Sequence, residues 1–217
     1  IRSWIIRKGI TILLKPLLFY MHCKDLPEVL NPLKEIPCDK YYVNYYTANQ
    51  AYKFGRDFFL ANKDYTHLII QTVDMIATKE GFEALMKHDP NYDVISGVMN
   101  VDMSENKDRL AITKEMPLEN PKGREYRWIE RENYSELTKV NFIGFSFTRM
   151  TRKAVEMIPF RPDSNGSAHD VTFAHDCKKN NIQIYADTGI FFKHLRYKGD
   201  LLVGKKPKSC EWVKWLK

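Results

Sequence analysis

Cysteine is scarce in this chain, and its few copies form no C-x-x-C pair. The four are Cys23, Cys38, Cys177 and Cys210. This spacing argues against a zinc cluster or a disulfide scaffold and suits a reducing compartment. No apolar run approaches the roughly 18 residues that a membrane-spanning helix needs. We therefore expect a globular, cytoplasmic protein.

Two glycine motifs are also missing. No G-x-G-x-x-G follows the first predicted strand, and no G-x-x-x-x-G-K occurs anywhere. These motifs place glycines where a backbone must approach phosphates closely. Their absence argues against the standard dinucleotide site and against a P-loop.

Acidic residues are rare at the two ends of the chain. Residues 1–16 carry four basic and no acidic residues, and residues 193–217 carry eight basic and two acidic ones. The two ends thus carry a charge of +10. Because the whole chain has a net charge of +7, the body between them, residues 17–192, carries −3. A nucleic-acid groove would normally place basic residues on the folded body, so we expect no nucleic-acid partner.

The basic terminal segments, 1–16 and 196–217, also carry tryptophan. If residues 211–217 form a helix, Trp212, Trp215 and Leu216 share one face. Basic segments with interfacial tryptophans are typical of peripheral contact with an anionic membrane, and Trp4 gives the first segment the same composition. Two solvated tails, or tryptophans packed on the domain, are the alternatives.

One stretch organises what is present. Thr66–Val73 is a run of strand-forming residues that ends at Asp74. An unbroken apolar run of this length predicts a central parallel strand buried on both faces. Thr78 then begins a helix whose apolar residues share one face.

The first half of the chain reads β–α–β–α–β, with each strand followed by a helical pattern. The remaining predicted strands there are Leu17–His22, Tyr41–Tyr46 and Tyr92–Met99. In the helix before the central strand, Ala51, Phe54, Phe58 and Ala61 form the apolar face. This order predicts a mostly parallel, Rossmann-like α/β sheet with helices on both faces and right-handed crossovers. With 217 residues, one domain is expected.

The second half is small and mixed. Residues 100–139 are charged and turn-rich, and a stretch of that length is usually functional. Val140–Thr148 predicts a strand, and helices follow at Thr151–Ile158 and from about Ala168 to Lys179. Two short strands, 182–186 and 190–192, are separated by a predicted turn at Asp187.

Three residues are candidates for chemistry. Asp74 follows the central strand, Asp170 lies in the first turn of a helix, and His194 follows the last strand. Open α/β sheets bind ligands at the carboxyl ends of their strands, and Asp and His suit Mn²⁺ or Mg²⁺. The alternatives are a solvated turn acid, a helix-capping acid after Ser167, and a surface histidine.

The order of these segments resembles the GT-A glycosyltransferases, in particular the large inverting family that uses nucleotide-sugar donors. Thr72-Val73-Asp74-Met75 stands where that family has D-x-D, and Arg56-Asp57 resembles its Arg-Asn. Asn141–Phe160 is similar to its small-residue strand and following helix. His169–Phe173 resembles its E-D-x-x-F segment, and Ile184–His194 its terminal strand. The likeness runs from about residue 17 to residue 195.

The resemblance implies a fold, an activity and a set of site residues. It implies a single GT-A domain that transfers a hexose-like sugar, with inversion, to a hydroxyl of a glycan, a lipid-linked molecule or a protein. Asp170 would be the catalytic base, and Asp74 and His194 would hold Mn²⁺ or Mg²⁺. The donor-binding residues would be His22, Arg56, Thr72, Val73 and Asp74.

Two departures from the family pattern keep other functions open. Thr72 replaces the first acid of D-x-D, and His169 replaces the glutamate of E-D. A nucleotidyltransferase on a related α/β fold is one alternative. The other is a degenerate, non-catalytic module of the same fold that binds a carbohydrate or a protein.

Overall fold

The computed structural model describes residues 3–7, 10–22, 27–44, 48–99, 109–117, 129–130, 137–162, 169–198 and 211–214. At several segment ends, His22 among them, it describes the backbone alone. Most of residues 100–139 therefore lies outside the described residues, as do the side chains of Trp4, Trp212 and Trp215. No helix in the described ranges has the length and apolar character that crossing a bilayer requires.

The described residues form five helices and sixteen strands. The helices are α1 (Pro27–Glu35), α2 (Ala48–Ala61), α3 (Lys79–Lys87), α4 (Arg152–Met157) and α5 (His169–Lys179). The strands of the first half are β1 (Ser3–Arg7), β2 (Ile10–Leu14), β3 (Pro16–His22), β4 (Asp39–Asn44), β5 (His67–Gln71), β6 (Met75–Ile76) and β7 (Val94–Val98). Those of the second half are β8 (Arg109–Leu110), β9 (Ile112–Thr113), β10 (Ile129–Glu130), β11 (Leu137–Val140), β12 (Phe142–Ile143), β13 (Phe147–Thr151), β14 (Ile184–Phe191), β15 (Lys193–Lys198) and β16 (Glu211–Lys214).

A seven-stranded sheet forms the centre, in the order β11-β14-β7-β13-β5-β3-β4. The pairs β3–β4, β3–β5 and β7–β14 are parallel. Strand β13 runs against both of its neighbours, and β11 runs against β14. Five of the seven strands thus share one direction, which confirms the predicted mixed α/β architecture with a mostly parallel sheet.

Helices cover both faces of this sheet. Leu68 and Ile70 of β5 point into the core that lies beneath α2, α4 and α5. Ile69, between them, points into the core beneath α1 and α3. Successive side chains of a strand face opposite sides, so a strand that is apolar at every position is one covered on both faces. The central strand is buried throughout, as the sequence predicted.

Helix α2 is rotated from the orientation that the apolar spacing predicted: Ala51 is buried and Phe58 packs on the core, but Phe54 does not. Tyr52 and Phe59 are 5% and 0% exposed, whereas Phe54 is 40% exposed. Gly55 decides the rotation, because a Cβ there would lie 2.6 Å from the ring of Phe19. Only glycine permits the helix to approach β3 this closely, and the approach turns Tyr52 inward.

The predicted strand over 140–148 is wrong in its extent. The segment forms three short pieces, β11, β12 and the start of β13. Gly144 separates the last two: its N–H donates to the carbonyl of Ala111, and a Cβ there would meet the Met99 side chain at 2.8 Å. The chain therefore leaves the main sheet to pair with β9 before it returns.

Two further predictions are also wrong. Asp187 and Gly189 lie within the continuous strand β14, where the pairing register with β7 shifts. The Asp-x-Gly sequence thus makes a strand irregularity, in which Gly189 N donates to Asp187 Oδ1 at 2.8 Å. Residues 211–214 form strand β16 against β15 and not a helix. The helical face proposed for the terminal tryptophans therefore does not exist over those residues.

Candidate functional site

The turn after β5 is fixed by hydrogen bonds to the backbone. The amide of Gln71, a fully buried side chain, donates to the carbonyl of Met75 at 2.8 Å. The hydroxyl of Tyr20 lies 3.5 Å from the carbonyl oxygen of Val73. These contacts hold the segment Thr72–Asp74 at the carboxyl end of β5.

Strand pairing brings His194 to this turn. Strands β6 and β15 run antiparallel, and Met75 is the partner of His194 in their register. Nε2 of His194 lies 3.1 Å from Oδ2 of Asp74. The two candidates, 120 positions apart in the sequence, are therefore in direct contact.

Asp74 is held as a carboxylate. The Thr72 hydroxyl lies 3.0 Å from Oδ1 of Asp74 and 3.3 Å from the carbonyl oxygen of Phe145. Burial by itself would raise the pKa of Asp74, but the hydrogen bond and charge of His194, together with Thr72, keep this pKa below its usual range. The side chain keeps about a third of its surface exposed, at 33%. It is charged and reachable by a ligand.

Asp170 lies in the first turn of α5. Its Oδ1 accepts the backbone N–H of Val171 at 2.9 Å, and an acid is favourable at a helix N-terminus. The Thr172 hydroxyl donates to the carbonyls of Arg161 and His169. Arg161 in turn pairs with Asp176 at 3.0 Å. The start of α5, and Asp170 with it, is thereby fixed to the chain that leaves α4.

Tyr52 connects the two acids, and sequence reasoning missed it. Its ring lies 4.7 Å from the ring of His169, the neighbour of Asp170. On its other side it lies 5.6 Å from the ring of Phe145, whose carbonyl contacts Thr72. Burial, then the charge of Asp170, then that of Asp74 raise the pKa of the Tyr52 phenol. Tyr52 therefore lies close enough to both carboxylates for their charges to raise this pKa.

The Asp74–His194 pair could supply two of the six ligands of an octahedral divalent ion. Neighbouring ligands of an octahedral ion at 2.0–2.1 Å lie about 3 Å from each other, close to the 3.1 Å between these two atoms. Among the described residues, no group of three or more His, Cys, Asp or Glu side chains could hold a metal. The residues present therefore suit an ion whose remaining ligands come from phosphate oxygens and water.

Arg56 has other partners than the phosphates that the sequence predicted. Its Nε lies 3.0 Å from the carbonyl oxygens of both Val155 and Ile158, and Nη2 lies 3.0 Å from that of Glu156. A guanidinium at the C-terminal end of a helix satisfies carbonyls that lack intrahelical partners. Arg56 thus ties α2 to the end of α4, and its contact with a nucleotide-sugar donor stays a prediction. The side chain of His22 lies outside the described residues.

The two departures from the family pattern have structural roles. Thr72 contacts Asp74 through its hydroxyl and supplies no second carboxylate. His169 is 6% exposed, with its ring against Tyr52. Each motif thus keeps one of its two acids, Asp74 or Asp170. Thr72 contacts Asp74, and His169 packs on Tyr52 next to Asp170.

Comparisons with known proteins identify a fold and no family. No protein-family model matches the chain, and no curated protein matches it. The crystal structure of A197 from STIV is similar, with 19% identity, a TM-score of 0.58 and coverage of 83% of this chain and 85% of that one. At such identity the likeness shows a shared fold alone.

Two other solved structures are similar at a lower level. Apo UDP-glucose pyrophosphorylase is 14% identical with a TM-score of 0.42, and the match covers 77% of this chain and 60% of that one. The inositol-1-phosphate CTP transferase from T. maritima is 8% identical with a TM-score of 0.42, and the match covers 80% and 85%. Their names describe those proteins alone.

Proposed function

We propose that this chain transfers a sugar from a nucleotide-diphosphate sugar to an acceptor hydroxyl, with inversion at the anomeric carbon. The observation that carries the proposal is that the packing around Tyr52 links the two sets of residues. Its ring contacts that of His169, the neighbour of Asp170, and that of Phe145. The Phe145 carbonyl in turn contacts Thr72 beside the Asp74–His194 pair. A candidate base for the acceptor and a pair that suits a diphosphate-bound ion are thus joined through the packing around one side chain. Displacement at a sugar carbon needs these two functions on opposite sides of that carbon.

Asp170 is the proposed general base. The acceptor oxygen attacks the anomeric carbon, the bond from that carbon to the diphosphate oxygen breaks, and Asp170 takes the acceptor proton. The transition state carries positive charge on the ring oxygen and anomeric carbon, so the nearby carboxylate also stabilises it. The leaving nucleoside diphosphate keeps the electron pair of the broken bond.

Asp74 and His194 are the proposed ligands of Mn²⁺ or Mg²⁺. When bound, such an ion would neutralise the charge that develops on the diphosphate. Thr72 holds the carboxylate of Asp74 in place, and the pairing of β6 with β15 holds His194. Thr72 and Val73 lie beside Asp74 in the turn, and we assign their backbone to the donor side of the space.

The charge of the site favours sugar transfer over nucleotidyl transfer. The described side chains gathered here are Tyr52, Thr72, Asp74, His169, Asp170 and His194, and none has a permanent positive charge. A nucleotidyltransferase must bring together a nucleoside triphosphate and a second phosphorylated substrate, and two fixed carboxylates repel both. A sugar transferase binds one anion and one neutral hydroxyl, which suits two carboxylates and one bound cation.

Product analysis tests the proposal. The protein is incubated with Mn²⁺ and a panel of nucleotide sugars, and released nucleoside diphosphate is measured with and without a mixture of sugar acceptors. We expect diphosphate release from one member of the panel, and we expect Asp170→Asn to abolish it while nucleotide binding remains. A parallel reaction with nucleoside triphosphates and sugar 1-phosphates is monitored for pyrophosphate.

Each alternative has its own result. Pyrophosphate release in the parallel reaction, without diphosphate release, would replace our proposal with nucleotidyl transfer. Binding of a carbohydrate without consumption of any nucleotide would indicate a non-catalytic module. Diphosphate release that Asp170→Asn leaves intact would remove Asp170 from the chemistry.

A further inference from the structure

The ring of Tyr52 is held rigidly by its neighbours. It lies between the rings of His169 and Phe145, and it stacks on Phe160 at 6.2 Å with an angle of 6° between the planes. Phe160 has a φ of 52°, which is unusual for a bulky residue. Residues in such conformations persist where the surrounding structure holds them, and they cluster near functional sites.

The hydroxyl of Tyr52 is the polar end of this buried ring. Among the described residues, no hydrogen bond involves this hydroxyl, and its oxygen does not belong to the fully buried polar atoms that lack a partner. The residue is 5% exposed, so the small accessible part includes the hydroxyl oxygen. A buried tyrosine hydroxyl normally has a hydrogen-bond partner. This one keeps accessible surface, so a ligand could accept its hydrogen bond.

The position of the hydroxyl selects one part of the ligand. Asp74 and His194 lie on the side assigned to the diphosphate, and Asp170 lies on the side assigned to the attacking hydroxyl. The ring of Tyr52 contacts that of His169, next to Asp170, and that of Phe145, whose carbonyl contacts Thr72 next to Asp74. In an in-line displacement the transferred sugar occupies the space between the leaving and attacking groups. The group nearest to Tyr52 is then the sugar ring.

We propose that the Tyr52 hydroxyl donates a hydrogen bond to an oxygen of the transferred sugar and so recognises the hexose of the donor and not its nucleotide. This inference rests on the proposed function. A phenol fixed on a packed ring loses little conformational freedom on binding, which suits a selective contact. Tyr52 is therefore a substrate-binding and specificity residue that takes no proton in the reaction.

Paired binding measurements test this role. Matched pairs of ligands are titrated calorimetrically with Mn²⁺: UDP with UDP-glucose, GDP with GDP-mannose, and dTDP with dTDP-glucose. The pair that the wild type binds best is then measured with Tyr52→Phe, which keeps the ring and removes the hydroxyl. We expect the affinity for the nucleotide sugar to fall roughly 3- to 10-fold, the effect of one hydrogen bond. The affinity for the diphosphate should stay within about twofold.

Tyr41→Phe is the matched control. Tyr41 stacks on Phe58 at 4.0 Å in the edge strand β4, so the same atom is removed from a tyrosine that packs elsewhere. Its affinities for both ligands should equal those of the wild type. Thermal melting of both variants checks that the fold is kept.

Deoxy sugars identify the bonded oxygen. A donor that lacks the hydroxyl bound by Tyr52 should bind the wild type less well, and Tyr52→Phe should not distinguish it from the full sugar. Equal loss of diphosphate and nucleotide-sugar affinity in Tyr52→Phe, or no loss of either, would overturn the inference and leave the proposed function standing. Failure of the wild type to bind any nucleotide sugar would overturn the proposed function together with this inference.

Discussion

Asp74→Asn separates the proposed metal ligand from an ordinary turn acid. The substitution keeps the size of the side chain and removes its charge. If Asp74 and His194 hold a divalent ion, the variant should lose the stabilisation that Mn²⁺ and a nucleoside diphosphate give together. A turn acid would leave that stabilisation unchanged.

The expected sizes follow from the geometry. A ligand at 100 times its dissociation constant stabilises the native state by about 2.7 kcal/mol. For a chain of 150–250 residues this raises Tm by about 5–11 °C, at about 2–4 °C per kcal/mol. Without ligand the variant should lose less than about 1 kcal/mol, because the 3.1 Å pair with His194 is partly exposed and screened by solvent. The variant should therefore melt within about 4 °C of the wild type and show almost no rise with ligand.

Asp187→Asn is the matched control. Oδ2 of Asp187 lies 2.6 Å from Nε2 of His88, and the side chains are 12% and 21% exposed. This is a second Asp–His pair, whose aspartate lies within strand β14 and is less exposed than Asp74, at 12% against 33%. Its loss should lower the stability of the free protein by about 1–2 kcal/mol and leave the rise with ligand intact. A full rise with Mn²⁺ and diphosphate in Asp74→Asn would refute the metal assignment.

Three further outcomes are expected. Asp170→Asn should lower turnover by a factor of roughly 10² to 10⁴, because the base is lost. The affinity for the diphosphate should not change, because asparagine still caps a helix start. Activity near that of the wild type would show that Asp170 only caps α5. Arg149→Met should lower the free energy of unfolding, measured in urea, by about 3 kcal/mol. The fully buried guanidinium donates to three carbonyls at the end of α3, those of Leu85, His88 and Asp89. A loss below about 1 kcal/mol would mean that these carbonyls find other donors. Burial lowers the pKa of His67 from 6.5 to about 4. Between these pH values the unfolded chain binds more protons than the native protein, so the free energy of unfolding falls by about 3 kcal/mol as pH drops from 6.5 to 4. His67→Gln should reduce this fall in acid, and an unchanged fall would assign it to other groups.

The sequence by itself determined the elements of the first half and the place of Asp74. The segment before Asp74 is a central strand because Leu68, Ile69 and Ile70 are apolar on both of its faces, and both faces are covered. Thr78 begins α3 as predicted, and its hydroxyl accepts the N–H of Gly81 at 3.1 Å. Such features depend on residues within a few positions of each other, so local patterns report them directly.

Only the tertiary structure decided which distant residues meet. The contact of Asp74 with His194 needs the pairing of β6 with β15, and a two-residue strand has no sequence signature of its own. Arg56 looked like a phosphate ligand by its position, yet the end of α4 lies within its reach and offers three carbonyls. Periodicity predicts that a side chain is buried and leaves its partner undefined.

Tyr52 shows the same limit most clearly. Its neighbours at three- and four-residue spacing placed the apolar face of α2 at Phe54, and the close approach of Gly55 to Phe19 rotated the helix away from that solution. That rotation packs one phenol against His169 and Phe145, which neighbour the sites of two acids from different halves of the chain. Local spacing fixed the helix, and the packing of the helix on the sheet chose the residue that faces the site.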